Sequence, residues 1–495
     1  MLLDDPRFSA VRTAPVLALL AGYFLLQVLL RASLSDSLDL DEAEQVLIAQ
    51  QLQWGYGSQP PLYAWLQWLL FQIFGLNLFA LAALKNALLF STYACVYFLA
   101  RPLIGGAAAA TATVSLLLFP QIAWESQRDL THSVLLTALA AATLWCYLDL
   151  LRRPTTWRYL VLGALIGLGL QAKYNYALLA AGLALTSLLL PEHRRIVWNR
   201  KLLLTLVLAA LLLLPHGWWL LQNLGSAADG TLNKMRDGHQ AGYLATVARG
   251  WASMWLAALA FATPFWLVYG WGWWRSRRHA APALPGLRFF LVLYLVLLGL
   301  MTLMILSGQV GKIKDRWMQP LLFSLPVACF LAWPALARPE VARLIRQVAA
   351  CMALLVLLGL PARVLLTPLL GKEVRAHHPY PELAAYLERQ FPQAGLVLAS
   401  DRLLGGNLYF QHPRRPVVLL EQALVPASAS GSAPELPPTS LVVLRQGART
   451  DWRERLLAVY PDARVAQTGR LDLPYRFGAA ATMSFEYALI RNGSE

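Results

Sequence analysis

Five carboxylates fall within nine residues near the start of the chain: Asp36, Asp39, Asp41, Glu42 and Glu44. Such crowding costs repulsion, so it points to a use as base, metal ligand or cation clamp. Asp41 and Glu42 also open a helical pattern, where carboxylates complement the helix dipole for purely electrostatic reasons. Cations come from two later places. Lys173 follows Gly167-Leu-Gly-Leu-Gln-Ala172 between two apolar runs. A charge at bilayer depth costs about 2.5–3.5 kcal/mol and marks a functional position, unless it is a plain loop lysine at the surface. Lys312, Lys314 and Arg316 stand just before Trp317. Several cations at headgroup depth suit a phosphate or pyrophosphate, or simple anchoring to lipid headgroups. Asp129, His132, Tyr174, Gln59 and Tyr56 lie in the same kind of connection and are candidate substrate contacts. A lone histidine at a helix start, as His132 is, also reads as a hydrogen-bonded structural residue.

The elements that must position these groups follow from composition. Of 495 residues, 58% are hydrophobic and only 14% are charged. Soluble domains carry roughly 25% charged residues, so much of this surface meets lipid. The net charge of +15 resides in short loops between apolar runs, which is a membrane-topology bias and not a nucleic-acid footprint. Cys95, Cys146, Cys329 and Cys351 all fall inside apolar runs and read as buried thiols, not as disulfides or a metal site. No Walker loop, dinucleotide fingerprint, HExxH or nucleophile elbow is present, so ATP-driven transport and soluble-cofactor chemistry lose support.

A hydrocarbon core of about 30 Å needs about 20 apolar residues per helix. Eleven runs are candidate spans: 14–30, 78–100, 103–121, 132–151, the short 158–171, 174–190, 202–221, 248–272, 289–307, 318–336 and 348–370. Alternate loops carry Arg101, Arg152/Arg153/Arg158, Arg194/Arg195/Arg200/Lys201, Arg275/Arg277/Arg278/Arg288 and Arg338/Arg343/Arg346, almost without acids. The positive-inside rule makes these cytoplasmic. The N-terminus is then inside, and the mixed acid, base and aromatic loops are outside. The first outer loop, 31–77, is long for a bundle connector. Residues 41–54 and 61–75 read as two interfacial helices joined by the turn Gly55–Pro61; counted as crossings, they would raise the total to thirteen. The fold class is therefore an α-helical polytopic membrane protein over 1–370, followed by a soluble α/β domain over 371–495 on the periplasmic side. In that domain Leu396–Ala399, Val417–Leu420 and Leu441–Leu444 have strand character, and Pro381–Gln390 and Asp451–Val459 have helical character.

The run Leu40-Asp-Glu-Ala-Glu-Gln45, followed by Gly55-Tyr-Gly-Ser-Gln-Pro-Pro-Leu-Tyr-Ala-Trp-Leu66, resembles the first outer loop of bacterial polyprenyl-phosphate-sugar glycosyltransferases of the GT-C fold. These belong to glycosyltransferase families 39 and 83, with protein O-mannosyltransferases and the lipid A aminoarabinose transferase as relatives. That loop usually carries an Asp-Glu pair and a later His-Pro-Pro-Leu; here Gln59 replaces the histidine. Gly167–Tyr174 resembles the family's Gly-rich helix ending in a lysine, and Arg316-Trp-Met-Gln-Pro320 its late outer loop. Arg128-Asp-Leu-Thr-His-Ser-Val-Leu-Leu136 is similar to a segment often written Thr-Asp-Ala-Pro-Leu-Leu, with His132 where the acid is common. The resemblance implies an undecaprenyl-phosphate-sugar donor and an acceptor hydroxyl outside the inner membrane, on lipid A or lipopolysaccharide, a polysaccharide or a protein. It makes Asp41 the general base, with Glu42 orienting a partner or the acceptor. Lys173, Lys314 and Arg316 then hold the donor phosphate. A phosphate leaving group needs stabilisation by cations and no protonating acid, so one base suffices. Attack in line inverts the anomeric centre. No cofactor is implied, and the reaction so read does not require a divalent metal. A multi-helix transporter or flippase of a lipid-linked or small anionic substrate is the alternative; against it, the ionisable groups gather at one face and not at the midplane.

Overall fold

The computed structural model describes residues 13–225, 242–279, 281–424, 435–447, 451–477 and 481–493. The chain divides into two compact units: one holds the residues through Gln27, Gln53–Tyr63 and Lys85–Leu357, the other Val28–Leu52, Ala64–Leu84 and everything from Leu358 onward.

Helices α1 (Thr13–Leu34), α2 (Leu40–Ile48), α3 (Leu62–Phe74) and α4 (Leu78–Ile104) open the chain. They are followed by α5 (Gly106–Val114), α6 (His132–Arg152), α7 (Thr156–Ala172), α8 (Tyr176–Leu189) and α9 (Leu202–Gln222). Then come α10 (Tyr243–Phe261), α11 (Thr263–Ser276), α12 (Leu287–Leu306) and α13 (Pro339–Leu366). Among the described residues seven helices are long and apolar enough to cross a bilayer, and nine if each sharply bent pair is one crossing. That is fewer than the eleven to thirteen expected, and proline accounts for most of the difference. Proline lacks an N–H, so it favours the first helical turn and, further in, removes a hydrogen bond and tends to bend or break the helix. Pro264 restarts the 248–272 run as α11. Pro320 and Pro326 divide 318–336 into Gln319–Leu322 and Leu325–Ala332. Pro120 sits at the 75° bend between Gly106–Leu118 and Gln121–Arg128, and Pro191 follows α8 at a 113° bend. The 158–171 run forms α7, which has 17 residues.

The long helices are apolar on all sides, as lipid-facing helices must be. In α9 Leu203, Leu206, Val207, Leu211 and Leu214 are exposed, and in α12 Leu291, Leu295 and Leu303. The inner contacts use small residues, which let helix backbones approach. A side chain at Gly163 or Gly167 of α7 would collide with the α9 backbone at Thr205 and Ala209. Thr205 Oγ1 donates to Tyr159 O across this seam, at 2.8 Å, and Gln171 Nε2 to Leu212 O, at 2.6 Å. The glycine-rich segment is thus a packing device that fixes the helix end carrying Lys173.

The second unit contains a five-stranded sheet of order β2-β1-β3-β5-β4. The strands are β1 (Leu396–Ala399), β2 (Val417–Leu419), β3 (Thr439–Arg445), β4 (Ala463–Pro474) and β5 (Thr482–Asn492). β1 runs parallel to β2 and β3, while β5 is antiparallel to β3 and β4. Helices α14 (Tyr380–Gln390), α15 (Arg402–Gln411) and α16 (Trp452–Val459) accompany it. Alternate residues of each strand enter opposite cores: Val397, Leu441 and Val443 pack with α14 and α15, whereas Leu398, Val442 and Leu444 pack with Leu456 of α16.

Helix α2, expected at the membrane interface, has its apolar face covered by α15. Ala43, Gln45 and Val46 are fully buried there. The backbone at Gly406 lies so close to Ala43 that no side chain fits between them. The segment leading into α2 is stitched to the same unit. Ser35 Oγ donates to Ala376 O and Ser37 Oγ to His378 O, each at 2.7 Å, and Leu38 N donates to Asn407 Oδ1 at 2.8 Å.

Candidate active site

The acidic cluster is distributed by function within α2 and its approach. Asp39 caps the helix, and Glu42 at the third position accepts from the Asp39 N–H at 3.0 Å. The same buried carboxylate takes both arms of the Arg31 guanidinium, Nε at 2.9 Å and Nη2 at 2.5 Å. Arg31 also donates to Ser35 O and Ser37 O. Glu42 therefore holds the loop in shape through a bidentate, fully occupied pair. Asp36 pairs with Arg476, Asp39 with Arg375 and Glu44 with Arg402. Asp41, in the first turn of α2, is half-buried.

The first unit holds the other sequence candidates. Lys173 terminates α7, and its Nζ donates to Ser133 Oγ at 2.8 Å, beside the start of α6. His132 begins α6 with its ring 5.4 Å from that of Tyr63. Tyr174 reaches His216 Nε2 at 3.2 Å, and His216 Nδ1 meets Trp54 O at 2.7 Å. This chain of contacts ties the Trp54–Gln59 turn to α9. Within the turn Tyr56 and Gln59 pair backbone to backbone, and the Tyr56 hydroxyl accepts from Gln53 N. Burial raises the pKa of both Tyr56 and Tyr174, which keeps their hydroxyls protonated. Asp129 ends a helical turn after Arg128, which pairs with Glu125 at 2.6 Å.

Around Arg316 the geometry is more specific. Asp315 accepts from Gln121 Nε2 at 2.5 Å and from the Arg316 N–H at 2.9 Å. Gln319 Nε2 donates to Ser126 Oγ at 3.2 Å. Gln121–Glu125 forms a π-helical turn, a local distortion that recurs at functional sites. The Gln319–Leu322 helix packs on α6 and α8. Residues 121–133, 173 and 314–319 thus gather at one end of the helices, with Lys314 and Arg316 half-buried among them. Arg316 Nε is buried with no hydrogen-bond partner among the described residues. A buried guanidinium N–H of this kind costs on the order of 1–3 kcal/mol unless something accepts from it. Among the described residues no cluster of three His, Cys, Asp or Glu side chains forms a metal centre.

Lys85 is a candidate the sequence reading passed over. It lies in the spanning helix α4, is 3% exposed, and has no hydrogen-bond or ion-pair partner among the described residues. Its neighbour Asn86 accepts from Gln127 Nε2 at 2.7 Å, which attaches this turn of α4 to the 121–128 segment. The signal that could have found it was the charge itself, inside a run read only for its mean hydropathy.

The chain as a whole has known counterparts. A family model described as dolichyl-phosphate-mannose-protein mannosyltransferase matches residues 58–219. The lipopolysaccharide core galacturonosyltransferase RgtB of Rhizobium johnstonii is 36% identical over 496 residues, covering 94% of this chain and 97% of the relative. RgtA of the same organism, also a lipopolysaccharide core galacturonosyltransferase, is 33% identical over 97% of this chain and 98% of its own length. The crystal structure of ArnT from Cupriavidus metallidurans bound to undecaprenyl phosphate superposes with a TM-score of 0.62 at 13% identity, over 97% of this chain and 98% of that one; at that identity the likeness is one of fold. The chain accordingly belongs to the GT-C fold glycosyltransferases, the family of these lipopolysaccharide core galacturonosyltransferases, and is a multi-pass membrane glycosyltransferase.

Proposed function

We propose that the protein moves a uronosyl group from a polyprenyl phosphate to a hydroxyl of a lipopolysaccharide or lipid A acceptor at the periplasmic face of the inner membrane. The observation that carries this reading is the 36% identity to a lipopolysaccharide core galacturonosyltransferase over nearly the whole of both chains. A polyprenyl phosphate as the carrier is supported by the undecaprenyl phosphate bound to ArnT, whose fold the chain shares. The residues suit the chemistry. Asp41 takes the proton of the acceptor hydroxyl as its oxygen attacks the anomeric carbon. The bond from that carbon to the phosphate oxygen breaks, and the polyprenyl phosphate leaves with the electron pair. Lys173, Lys314 and Arg316, joined by Lys85, offset the charge on the departing phosphate. Attack opposite the leaving group inverts the anomeric centre. Glu42, occupied by Arg31, keeps Asp41's loop in place and does not exchange protons.

The test is transfer to purified acceptor in proteoliposomes by wild type and Asp41→Asn. A general base contributes about 10²–10⁴-fold, so a loss of that size with unchanged folding is expected. Activity within about threefold of wild type, a barrier change below ~1 kcal/mol, removes Asp41 from the role.

A further inference from the structure

The α/β unit carries a crevice of its own. β1 leads through α15 to β2 on one side, while β3 flanks β1 on the other. The chain therefore departs in opposite directions at the carboxyl ends of two adjacent parallel strands, which is where open α/β sheets bind ligands. A cavity of about 250 Å³ lies there, lined by Ser400 and Asp401 after β1, Arg445 after β3, Trp452 and Arg455 of α16, and Leu424. The volume suits a single small ring.

The charges in the crevice are unequally committed. Asp401 caps α15 by accepting from Leu404 N at 3.0 Å, accepts from Ser400 Oγ at 3.1 Å, and pairs with Arg445 at 3.5 Å. That acid and that cation offset each other. Glu421, exposed on the lining, makes no ion pair with Arg455. The guanidinium of Arg455 has neither a hydrogen bond nor an ion pair among the described residues, although it is half-buried. One turn before it, Trp452 packs partly on the core formed by Leu398, Leu424 and Leu444, so its indole is held in a fixed orientation.

We infer that this crevice binds one sugar ring bearing a carboxylate, a uronosyl residue of the glycan on which the enzyme acts. A rigid indole offers an apolar platform for the C–H face of a sugar, and an uncommitted guanidinium is a bidentate partner for a carboxylate. Ser400 and the paired Asp401 supply acceptors for ring hydroxyls. The choice of a uronosyl ring rests on the proposed galacturonosyl transfer; the crevice and its arginine, unpaired among the described residues, do not. The site would let the soluble unit retain a glycan that already carries an acidic sugar.

The test is ligand-observed saturation-transfer NMR on the full-length protein in nanodiscs, with digalacturonate, its methyl ester and digalactose. Binding of digalacturonate is expected to weaken roughly tenfold or more on esterification and again in Arg455→Gln, as loss of a charge-assisted contact requires. Trp452→Phe should weaken it less; the thermal unfolding midpoint should be unchanged in Arg455→Gln and fall modestly in Trp452→Phe, which loses core packing. Equal binding of digalactose, or digalacturonate binding insensitive to Arg455→Gln, overturns the proposal, as does the absence of binding. Asp41→Asn serves as the separating control: it should abolish transfer and leave this binding intact, so each reading can fail without the other.

Discussion

Arg31 and Lys85 are both cations on membrane helices, yet their surroundings differ. Arg31 makes four hydrogen bonds, to Glu42 and to two carbonyls, whereas Lys85 is 3% exposed and has no partner among the described residues. An uncompensated ammonium in a spanning helix costs about 2.5–3.5 kcal/mol on insertion scales. Lys85→Met should therefore leave the protein folded, with an unfolding midpoint at or above that of wild type, while transfer falls roughly tenfold or more. A melt and a donor titration check this; a more stable protein with wild-type transfer would make Lys85 a fortuitous charge. His378 gives a second residue-scale expectation. Burial, then Arg445, Arg375 and His377, push its pKa down to about 4, against the opposing pull of Asp401. The unfolded chain then binds a proton near pH 6.5 that the folded one refuses until about pH 4. Stability is full above that window and is lost as pH falls through it, by about 3 kcal/mol. His378→Gln should flatten the dependence of the unfolding midpoint between pH 6.5 and 4. The acids and late cations were legible in the sequence because charge stands out against apolar runs. The link from Gln121 to Asp315 was not, because 194 residues separate the partners.

At the scale of elements, α2 and α15 approach closely at one glycine. Gly406 has no room for a side chain against Ala43 O, and both helices are too short to slide without disturbing the Leu38–Asn407 bonds. Gly406→Ala should destabilise the protein by about 1–3 kcal/mol, the usual cost of overpacking, and expose α2 to protease. Gly217→Ala, which meets nothing within 4 Å, is the matched control and should be neutral or slightly stabilising. The sequence pattern located β1 and β2 almost to the residue and the middle of β3, which runs from Thr439 to Arg445, because buried parallel strands read as short continuous apolar runs. It passed over β4, whose Arg464, Arg470 and Asp472 face solvent on an edge strand, as edge strands often carry charge. It missed α15 as well, since two glycines, Gly405 and Gly406, stand in its middle and lower its helical propensity. The docking of α2 was not legible either: Glu42, Ala43, Gln45 and Val46 form the buried side of that helix, but an amphipathic pattern alone does not say whether lipid or protein covers it.

At the scale of the whole molecule, the question is which side of the membrane each end occupies. Charge alone assigns the arginine-bearing loops at 101, 152–158, 194–201, 275–288 and 338–346 to one side. Proline breaks reduce the helices that cross by length and composition to between seven and nine, so parity no longer follows from counting apolar runs. The charge bias is independent of that count. Arg194 and Arg195 follow the sharp bend at Pro191, and Arg275 closes α11; each end is basic whether or not its helix is a complete crossing. From that bias we propose that these ends are cytoplasmic and that the residues from Leu358 onward lie outside. A C-terminal alkaline phosphatase fusion should be active in cells, and a C-terminal green fluorescent protein fusion dark. Fusions after Arg195 or Arg278 should give the reverse. An active phosphatase after Arg195 together with a fluorescent C-terminus would invert the whole assignment. The proposed acceptor would then have to be a cytoplasmic one, since Asp41 and the sheet belong to the same unit and cannot be placed on opposite sides of the bilayer.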